Sequence, residues 1–152
     1  MKDFPLHIRI KDASAPVKNN QTEAKLQRAF CSWMGMQYPD VYFSSDASSL
    51  GAGWSTIKNI QATKSNHAHL DVTLLQPAKQ YHALILEFKK ESPYLQDGTL
   101  SKEIHIREQL KTMELLRKLN YKCEWVWDLD QAIQIATEYL GQPEEDNSPL
   151  FP

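Results

Sequence analysis

The chain has 152 residues, of which 41% are hydrophobic and 24% charged, and this composition is typical of a globular protein with one domain. No apolar run approaches the ~20 residues that span a membrane. The N-terminal stretch MKDFPLHIRIKD interrupts its apolar positions with charges, unlike a signal peptide. We therefore expect an intracellular, cytoplasmic protein whose two cysteines, Cys31 and Cys123, are buried and reduced.

The formal net charge of −2 conceals an asymmetry along the chain. Residues 123–152 carry seven acidic side chains and neither lysine nor arginine, so removing their −7 from the total leaves +5 on residues 1–122. A mildly basic body is compatible with phosphate binding, but it does not require it. On charge alone, a solvated surface without a phosphate partner remains equally open.

The first half of the chain is predicted to contain one strand and one clear helix. Residues 5–10, PLHIRI, alternate as a short strand does, and residues 11–21 are typical of a linker. Helical spacing of apolar residues begins at Glu23 and continues to about residue 37, with Asn20 or Thr22 as the N-cap. Residues 44–55 form a loop rich in serine and glycine. Residues 53–64 fit either a short strand or a short helix.

The second half is predicted to alternate strands with helices. Two strands, HLDVTLL and YHALILEFKK, are separated by a turn at residues 76–80, and a loop at residues 91–103 follows them. A long amphipathic helix covers about residues 102–119, and YKCEWVW forms the next strand. The last helix covers residues 131–140, with Asp128 or Asp130 as its cap and Gly141 just past its end. This order predicts a mixed sheet flanked by helices.

Polar residues fall at positions of these elements where apolar ones are expected. They are Glu23 on the first helix, Asp71 before an apolar strand, Glu87 and Lys89 at the end of the next strand, and Gln109 on the apolar stripe of the long helix. Burying such groups is costly unless they are paired or hold a metal. Each also has an ordinary structural interpretation.

Those alternatives are a capping box for Glu23, with Asn20 as the N-cap, and contact with water for each of the others. Glu87 and Lys89 would then form a surface ion pair. The spacing His67-x-His69-x-Asp71 also suggests a dinuclear zinc hydrolase. That class needs a second histidine directly after the aspartate, where this chain has Val72.

Taken together, the acid on the first helix, the strand aspartate, the E-x-K and the helical glutamine resemble the PD-(D/E)xK nuclease superfamily. Within that superfamily the chain resembles in particular the virus-type replication-repair nuclease (VRR-NUC) domain, as a small stand-alone, phage-type member. DGTLSKE, the Leu-x-x-x-Asn-Tyr pattern that ends the long helix and the closing EYLG also resemble that family. One departure is Ala68-His69-Leu70-Asp71, where the family usually has Gly-x-Pro-Asp.

The resemblance implies a restriction-endonuclease-like αβββαβ core over residues 21–141, preceded by an N-terminal strand and linker at residues 1–20. Residues 142–152 would form a disordered acidic tail. The resemblance also implies an Mg²⁺- or Mn²⁺-dependent DNA endonuclease that leaves 5′-phosphate and 3′-hydroxyl ends. Asp71, Glu87 and the carbonyl of Phe88 would hold the metal, and Glu23 would act through a second metal or a bound water.

In the same resemblance, Lys89 orients the attacking water or stabilises the developing charge, and Gln109 positions a water or the lysine. The candidate DNA contacts are Lys58, Lys64, His67, His69, Lys90, Lys102, Arg107 and Lys111. No sequence-reading module is evident, so structure-selective cleavage of branched or junction DNA is expected. No membrane association and no small-molecule cofactor are expected.

Small relatives resemble junction resolvases and tend to dimerise. A homodimer here would use Tyr94 and Leu95, or the apolar face of the last helix, although these residues also fit an exposed loop and an ordinary core. The competing function is a non-catalytic nucleic-acid-binding or phage accessory protein on the same fold.

Overall fold

The computed structural model describes residues 22–46 and 53–143. In chain order its elements are α1 (Glu23–Gln37), β1 (Phe43–Ser45), α2 (Trp54–Ala62), β2 (Val72–Leu74), β3 (Leu84–Phe88), α3 (Ile104–Lys118), β4 (Lys122–Val126) and α4 (Leu129–Leu140). The predicted strand and linker at residues 1–20, the centre of the serine-rich loop and most of the predicted tail lie outside the described residues.

The four strands form one mixed sheet in the order β1-β2-β3-β4. β1 pairs with β2 and β2 pairs with β3 in antiparallel fashion, whereas β3 and β4 are parallel. Val72 lies opposite Leu86 of β3, and Phe88 lies opposite Val126 of β4. The predicted α/β class with a mixed central sheet is confirmed.

Helices cover both faces of this sheet, and β3 is therefore buried along its whole length. Leu84, Leu86 and Phe88 belong to the core that α1 and α4 form on one face. Ile85 belongs to the second core, on the face that α3 covers with Ile106 and Met113. Because side chains alternate along a strand, Glu87 shares the α3 face with Ile85. A charged residue at this position is enclosed by the fold.

The start of α1 corrects one structural alternative for Glu23. The N-cap is Thr22, whose hydroxyl accepts a hydrogen bond from the Lys25 amide at 3.3 Å. Glu23 is therefore the first residue of the helix and not the third, so it does not close the capping box proposed with Asn20. Asn20 lies outside the described residues.

One open alternative is settled and one element differs from the sequence prediction. Residues 54–62 form a helix, which decides between strand and helix for that segment. β1 (Phe43–Ser45) includes the first two residues of the loop predicted at residues 44–55, whose serines are typical of a loop. Its strand conformation comes from pairing with β2, which local sequence does not report.

The last helix packs into the core of the same chain. Its Ala132, Ala136 and Tyr139 are buried, and Tyr139 also donates a hydrogen bond from its hydroxyl to the carbonyl of Gln76 at 2.7 Å. Gly141 ends the helix at φ +90°, a conformation that glycine adopts readily. The apolar face of this helix is therefore occupied within the monomer, which corrects its suggested role in a dimer.

Cys31 is half-buried and Cys123 is buried, and both are free thiols. Burial raises the pKa of the Cys123 thiol to about 11, so it stays protonated. Within residues 22–46 and 53–143, none of the helices has both the length and the apolar content that crossing a membrane requires.

Candidate active site

The end of β3 buries an ion pair. Glu87 and Lys89 are only 2% and 7% exposed, and Lys89 Nζ donates a hydrogen bond to Glu87 Oε1 at 2.9 Å. The same ammonium lies over the ring of Trp125, 5.6 Å from its centroid. The sequence left open a surface ion pair at this position. The structure contradicts that alternative, because α3 covers this face of the sheet.

Gln109 reaches the same carboxylate from α3. Its Nε2 donates a hydrogen bond to Glu87 Oε1, the oxygen that also accepts from Lys89. The side chain therefore does not simply extend into water from the margin of the apolar stripe. It contacts Glu87 itself, whereas the resemblance predicted that it positions a water or the lysine.

One oxygen of this cluster has no partner. Glu87 Oε2 is buried and lacks a hydrogen-bond partner among the described residues, as does the amide oxygen of Gln109. Buried polar atoms in native proteins are nearly always hydrogen-bonded, so an orphan of this kind requires an explanation. For Glu87 Oε2, a role as ligand to a cation would explain the missing hydrogen bond.

Asp71 lies directly before β2, beside the end of β3. Its Oδ2 accepts a hydrogen bond from the backbone amide of Phe88 at 2.8 Å. The register that pairs Val72 with Leu86 brings the two strand ends together. The structure thus places the carboxylate of Asp71 next to the segment Glu87–Lys89, although Asp71 lies 16 positions before Glu87 in the chain.

Glu23 approaches this segment from α1. Its Oε1 accepts a hydrogen bond from the backbone amide of Lys90 at 3.3 Å, and the side chain is exposed. Its charge is close enough to raise the pKa of both Asp71 and Glu87. The structure therefore brings together all five residues that were predicted to be catalytic.

Gln27, one turn after Glu23, is a site residue that the sequence analysis did not single out. It is 1% exposed, and its Nε2 donates hydrogen bonds to Ser45 Oγ at 2.5 Å and to the carbonyls of Asp46 and Asp71, each at 3.4 Å. The side chain thus joins α1 to the ends of β1 and β2. The sequence offered one signal for Gln27: it is a polar residue on the apolar stripe of a helix, next to Leu26 and Phe30. The same signal identified Gln109.

Electrostatics in the cluster favour a bound cation. Burial, followed by the charge of Asp71, raises the pKa of Glu87 to about 8, against the lowering effect of Lys89. Burial also raises the pKa of Asp71, although the Phe88 amide and Lys89 oppose that shift. Two crowded carboxylates with raised pKa values ionise more easily when a divalent cation is present.

The donor set fits a hard cation such as Mg²⁺ or Mn²⁺. Carboxylates and a main-chain carbonyl are oxygen ligands, which these metals prefer. No three His, Cys, Asp or Glu side chains within residues 22–46 and 53–143 are grouped closely enough to hold a metal by themselves. A cation held by Asp71 and Glu87 would therefore complete its shell with main-chain, water or substrate oxygens, as Mg²⁺ commonly does.

An open pocket of about 360 Å³ lies beside Asp71. Lys64 and His69, two of the predicted DNA contacts, line it together with Asp46 and Ile60. Lys64 Nζ forms an ion pair with Asp46 Oδ2 at 2.5 Å, and the backbone amide of Asp46 donates a hydrogen bond to the carbonyl of Asp71 at 2.6 Å. The structure therefore connects Lys64 to the backbone of a proposed metal ligand.

The other predicted DNA contacts are dispersed. His67 and Lys111 line a second pocket, of about 440 Å³. The remaining four lie on exposed positions: Lys58, Lys90, Lys102 and Arg107. Both predicted histidine contacts lie against Ser65 and not against Asp71. His67 Nδ1 is 3.2 Å from the Ser65 hydroxyl, and His69 Nε2 is 3.2 Å from the Ser65 carbonyl oxygen.

The fold has a counterpart among solved structures. A protein described as "VRR_NUC domain protein" superposes with a TM-score of 0.54 and 17% sequence identity, over 79% of this chain and 88% of that one. The fold predicted from the resemblance to VRR-NUC domains is thereby confirmed. No family model matches the sequence, and the search of curated proteins gave no match.

Proposed function

We propose that this chain is a divalent-metal-dependent nuclease that hydrolyses phosphodiester bonds in DNA. The observation that carries the proposal is the buried Glu87–Lys89 pair beside Asp71, in which Glu87 Oε2 has no hydrogen-bond partner within residues 22–46 and 53–143. A buried carboxylate oxygen without a hydrogen-bond partner is destabilising unless it coordinates a metal, so its presence supports a cation site. The fold shared with a VRR_NUC domain protein supports the same conclusion.

Asp71, Glu87 and the carbonyl of Phe88 would hold Mg²⁺ or Mn²⁺. The hydrogen bond from the Phe88 amide fixes one oxygen of Asp71 and leaves the other for the metal. When bound, the cation would neutralise charge on the phosphate and activate the attacking water. Glu23 is exposed beside Lys90 and would act through a second cation or a bound water.

Lys89 would orient the attacking water or stabilise the charge that develops on the phosphate. The buried surroundings strengthen this effect, because little solvent screens the ammonium. Gln109 supports the site from α3. Its hydrogen bond occupies Oε1 of Glu87 together with Lys89, so Oε2 remains available for the cation.

We propose branched or junction DNA as the substrate and a homodimer as the active form. One small domain contacts little duplex, and a second copy would extend that contact. Tyr94 and Leu95 are 45% and 49% exposed, which is consistent with a contact surface in the loop before α3. Lys90 and Lys102 lie on the same loop and would bind phosphates.

The test compares the wild-type protein with Asp71→Ala and Lys89→Ala on branched, nicked, single-stranded and supercoiled DNA, with Mg²⁺, with Mn²⁺ and with EDTA. We expect metal-dependent cleavage by the wild type and none by the folded variants. Equal cleavage by the wild type and Lys89→Ala would refute the assigned mechanism. No cleavage of any substrate would favour the alternative, a non-catalytic nucleic-acid-binding or phage accessory protein.

A further inference from the structure

Helix α2 does not belong to the core of the protein. None of residues 54–62, all of which the structure describes, is buried, and only Ile57 and Ile60 are half-buried. Trp54, at the start of the helix, is 75% exposed. Tryptophan is usually well buried, so an indole this exposed is informative about function.

Lys58 lies one turn after Trp54 on the same face of α2. Its Nζ is 6.0 Å from the centroid of the Trp54 ring. Residues 53–70 contain Lys58, Lys64 and two histidines but no acidic residue. An exposed aromatic ring with a cation beside it, in a segment free of negative charge, matches one base and its phosphate.

The other end of α2 leads to the candidate active site. Ile60 and Lys64 line the pocket that also contains Asp71, and Lys64 is ion-paired with Asp46. Trp54 and Ile60 are separated by about 9 Å along the helix axis. That length corresponds to roughly two to three nucleotides at about 3.4 Å each. A single strand of DNA lying along α2 would therefore extend from Trp54 to the pocket that contains Asp71.

We propose that Trp54 and Lys58 bind an unpaired nucleotide of the DNA substrate, with the base stacked on the indole and its phosphate near the ammonium. This inference rests on the proposed nuclease function and specifies its substrate: DNA that has unpaired nucleotides within about three positions of the cleaved bond. Intact duplex keeps its bases stacked inside the helix and offers none to Trp54. Trp54 and Lys58 thus select single-stranded, flapped or branched DNA.

The surroundings of Trp54 favour a nucleic acid over a protein partner. Among the described residues of α2, the side chains one turn after Trp54 are the half-buried Ile57 and the exposed Lys58, and Ser55, Thr56 and Asn59 beside them are exposed and polar, so these residues do not form a broad apolar patch around the indole. Stable protein interfaces bury about 800 Å² on each partner and have an apolar centre. A single ring between hydroxyl, amide and ammonium groups suits base stacking better.

The experiment measures DNA binding in EDTA, where the proposed cleavage does not occur, so its result is independent of whether the chain is a nuclease. The Kd is measured by fluorescence anisotropy for a single-stranded oligonucleotide, the matching blunt duplex and RNA of the same sequence. We expect Trp54→Ala to weaken single-strand binding by roughly 5- to 150-fold, the range for one stacked base. The duplex should lose less, Trp54→Phe should retain most of the affinity, and tryptophan fluorescence should be quenched by the single strand.

Tyr42→Ala is the matched control. Tyr42 is 67% exposed, and its carbonyl accepts from the amide of Leu75, at the end of the sheet away from Asp71. Its substitution should leave every Kd unchanged. An unchanged Kd for Trp54→Ala, an equal loss on duplex and single strand, or a loss confined to RNA would overturn the proposal. A change of oligomeric state without a change in DNA binding would overturn it in favour of an interface between copies.

Discussion

The amide of Gln109 donates its hydrogen bond to Glu87 at the oxygen that Lys89 already occupies. Two donors on Oε1 fix the carboxylate in one orientation, and Oε2 is left buried with no hydrogen-bond partner in the part of the chain that the structure describes. An arrangement meant only for stability would divide the donors between the two oxygens, because an unsatisfied buried acceptor is destabilising. We interpret Gln109 as a positioning residue that keeps Oε2 ready for a cation.

Replacing Gln109 should therefore weaken the binding of the cation more than it lowers the stability of the folded protein. We expect Gln109→Ala to raise the Mg²⁺ concentration for half-maximal cleavage by roughly 10- to 150-fold, since a hydrogen bond to a charged group contributes ~1.5–3 kcal/mol. The measurement is the cleavage rate against Mg²⁺ concentration. Leu115→Ala, an exposed position on the same helix, is the control. A lower maximal rate with an unchanged Mg²⁺ requirement would contradict this role.

Stability without metal should depend on pH through Glu87. Its pKa is about 8 in the folded protein against an ordinary 4.5, so between these values the folded state holds a proton that the unfolded chain has released. The stability associated with this proton is present at low pH and is lost as the pH rises through about 8. The raised pKa of Asp71 acts in the same direction.

We expect the free energy of unfolding in EDTA to fall by about 1–4 kcal/mol from pH 5 to pH 8.5, as judged from urea denaturation. Glu87→Gln, which has no titrating proton, should remove most of this slope. Glu114→Gln, an exposed acid elsewhere on α3, should keep it. An identical slope in the wild type and Glu87→Gln would show that another group is responsible.

A divalent cation should stabilise the folded protein independently of any substrate. Because binding to the folded state adds RT ln(1 + [L]/Kd), a concentration of 100 times Kd contributes about 2.7 kcal/mol. We expect Mg²⁺ or Mn²⁺ to raise the melting temperature of the wild type at pH 7.5 but not that of Asp71→Ala. Glu138→Gln, which replaces an exposed acid far from Asp71 in the chain, is the control and should respond to the cation as the wild type does. Equal increases in all three proteins would indicate non-specific binding.

Gln27 should support both the fold and the site. Gln27→Leu leaves the carbonyls of Asp46 and Asp71 without this donor, so we expect a loss of about 1–3 kcal/mol in stability. Cleavage by the folded variant should also fall, because the backbone of Asp71 loses a support. Gln134→Leu on the exposed face of α4 is the matched control. A stability loss without any change in cleavage would limit Gln27 to a structural role.

Much of the fold and the composition of the site could be predicted from the sequence. Alternation along YHALILEFKK indicated that Glu87 lies on the face of Ile85, and helical spacing placed Gln109 on the stripe with Ile106 and Met113. These are local properties, because side-chain direction follows the period of each element. The same reasoning identified Asp71 and Glu23 and the order of the main elements.

Other features depend on contacts that periodicity does not report. β1 exists because β2 pairs with it, and of the two N-caps that the sequence allowed, only the structure selects Thr22, which removes the alternative of a capping box between Asn20 and Glu23. The role of Gln27 depends on Asp46 and Asp71, which lie 19 and 44 residues away. The pattern of a single element cannot specify such partners.

By itself, the sequence of this protein determined which residues face inward on each strand and helix, since that follows from the local period of apolar positions. Only the tertiary structure decided what those residues meet. It placed two donors on one oxygen of Glu87, left the other oxygen without a partner among the described residues, and kept Trp54 outside the core. The reason is physical: burial and hydrogen-bond partners are set by segments distant in the chain, which come together only when the sheet and its covering helices assemble.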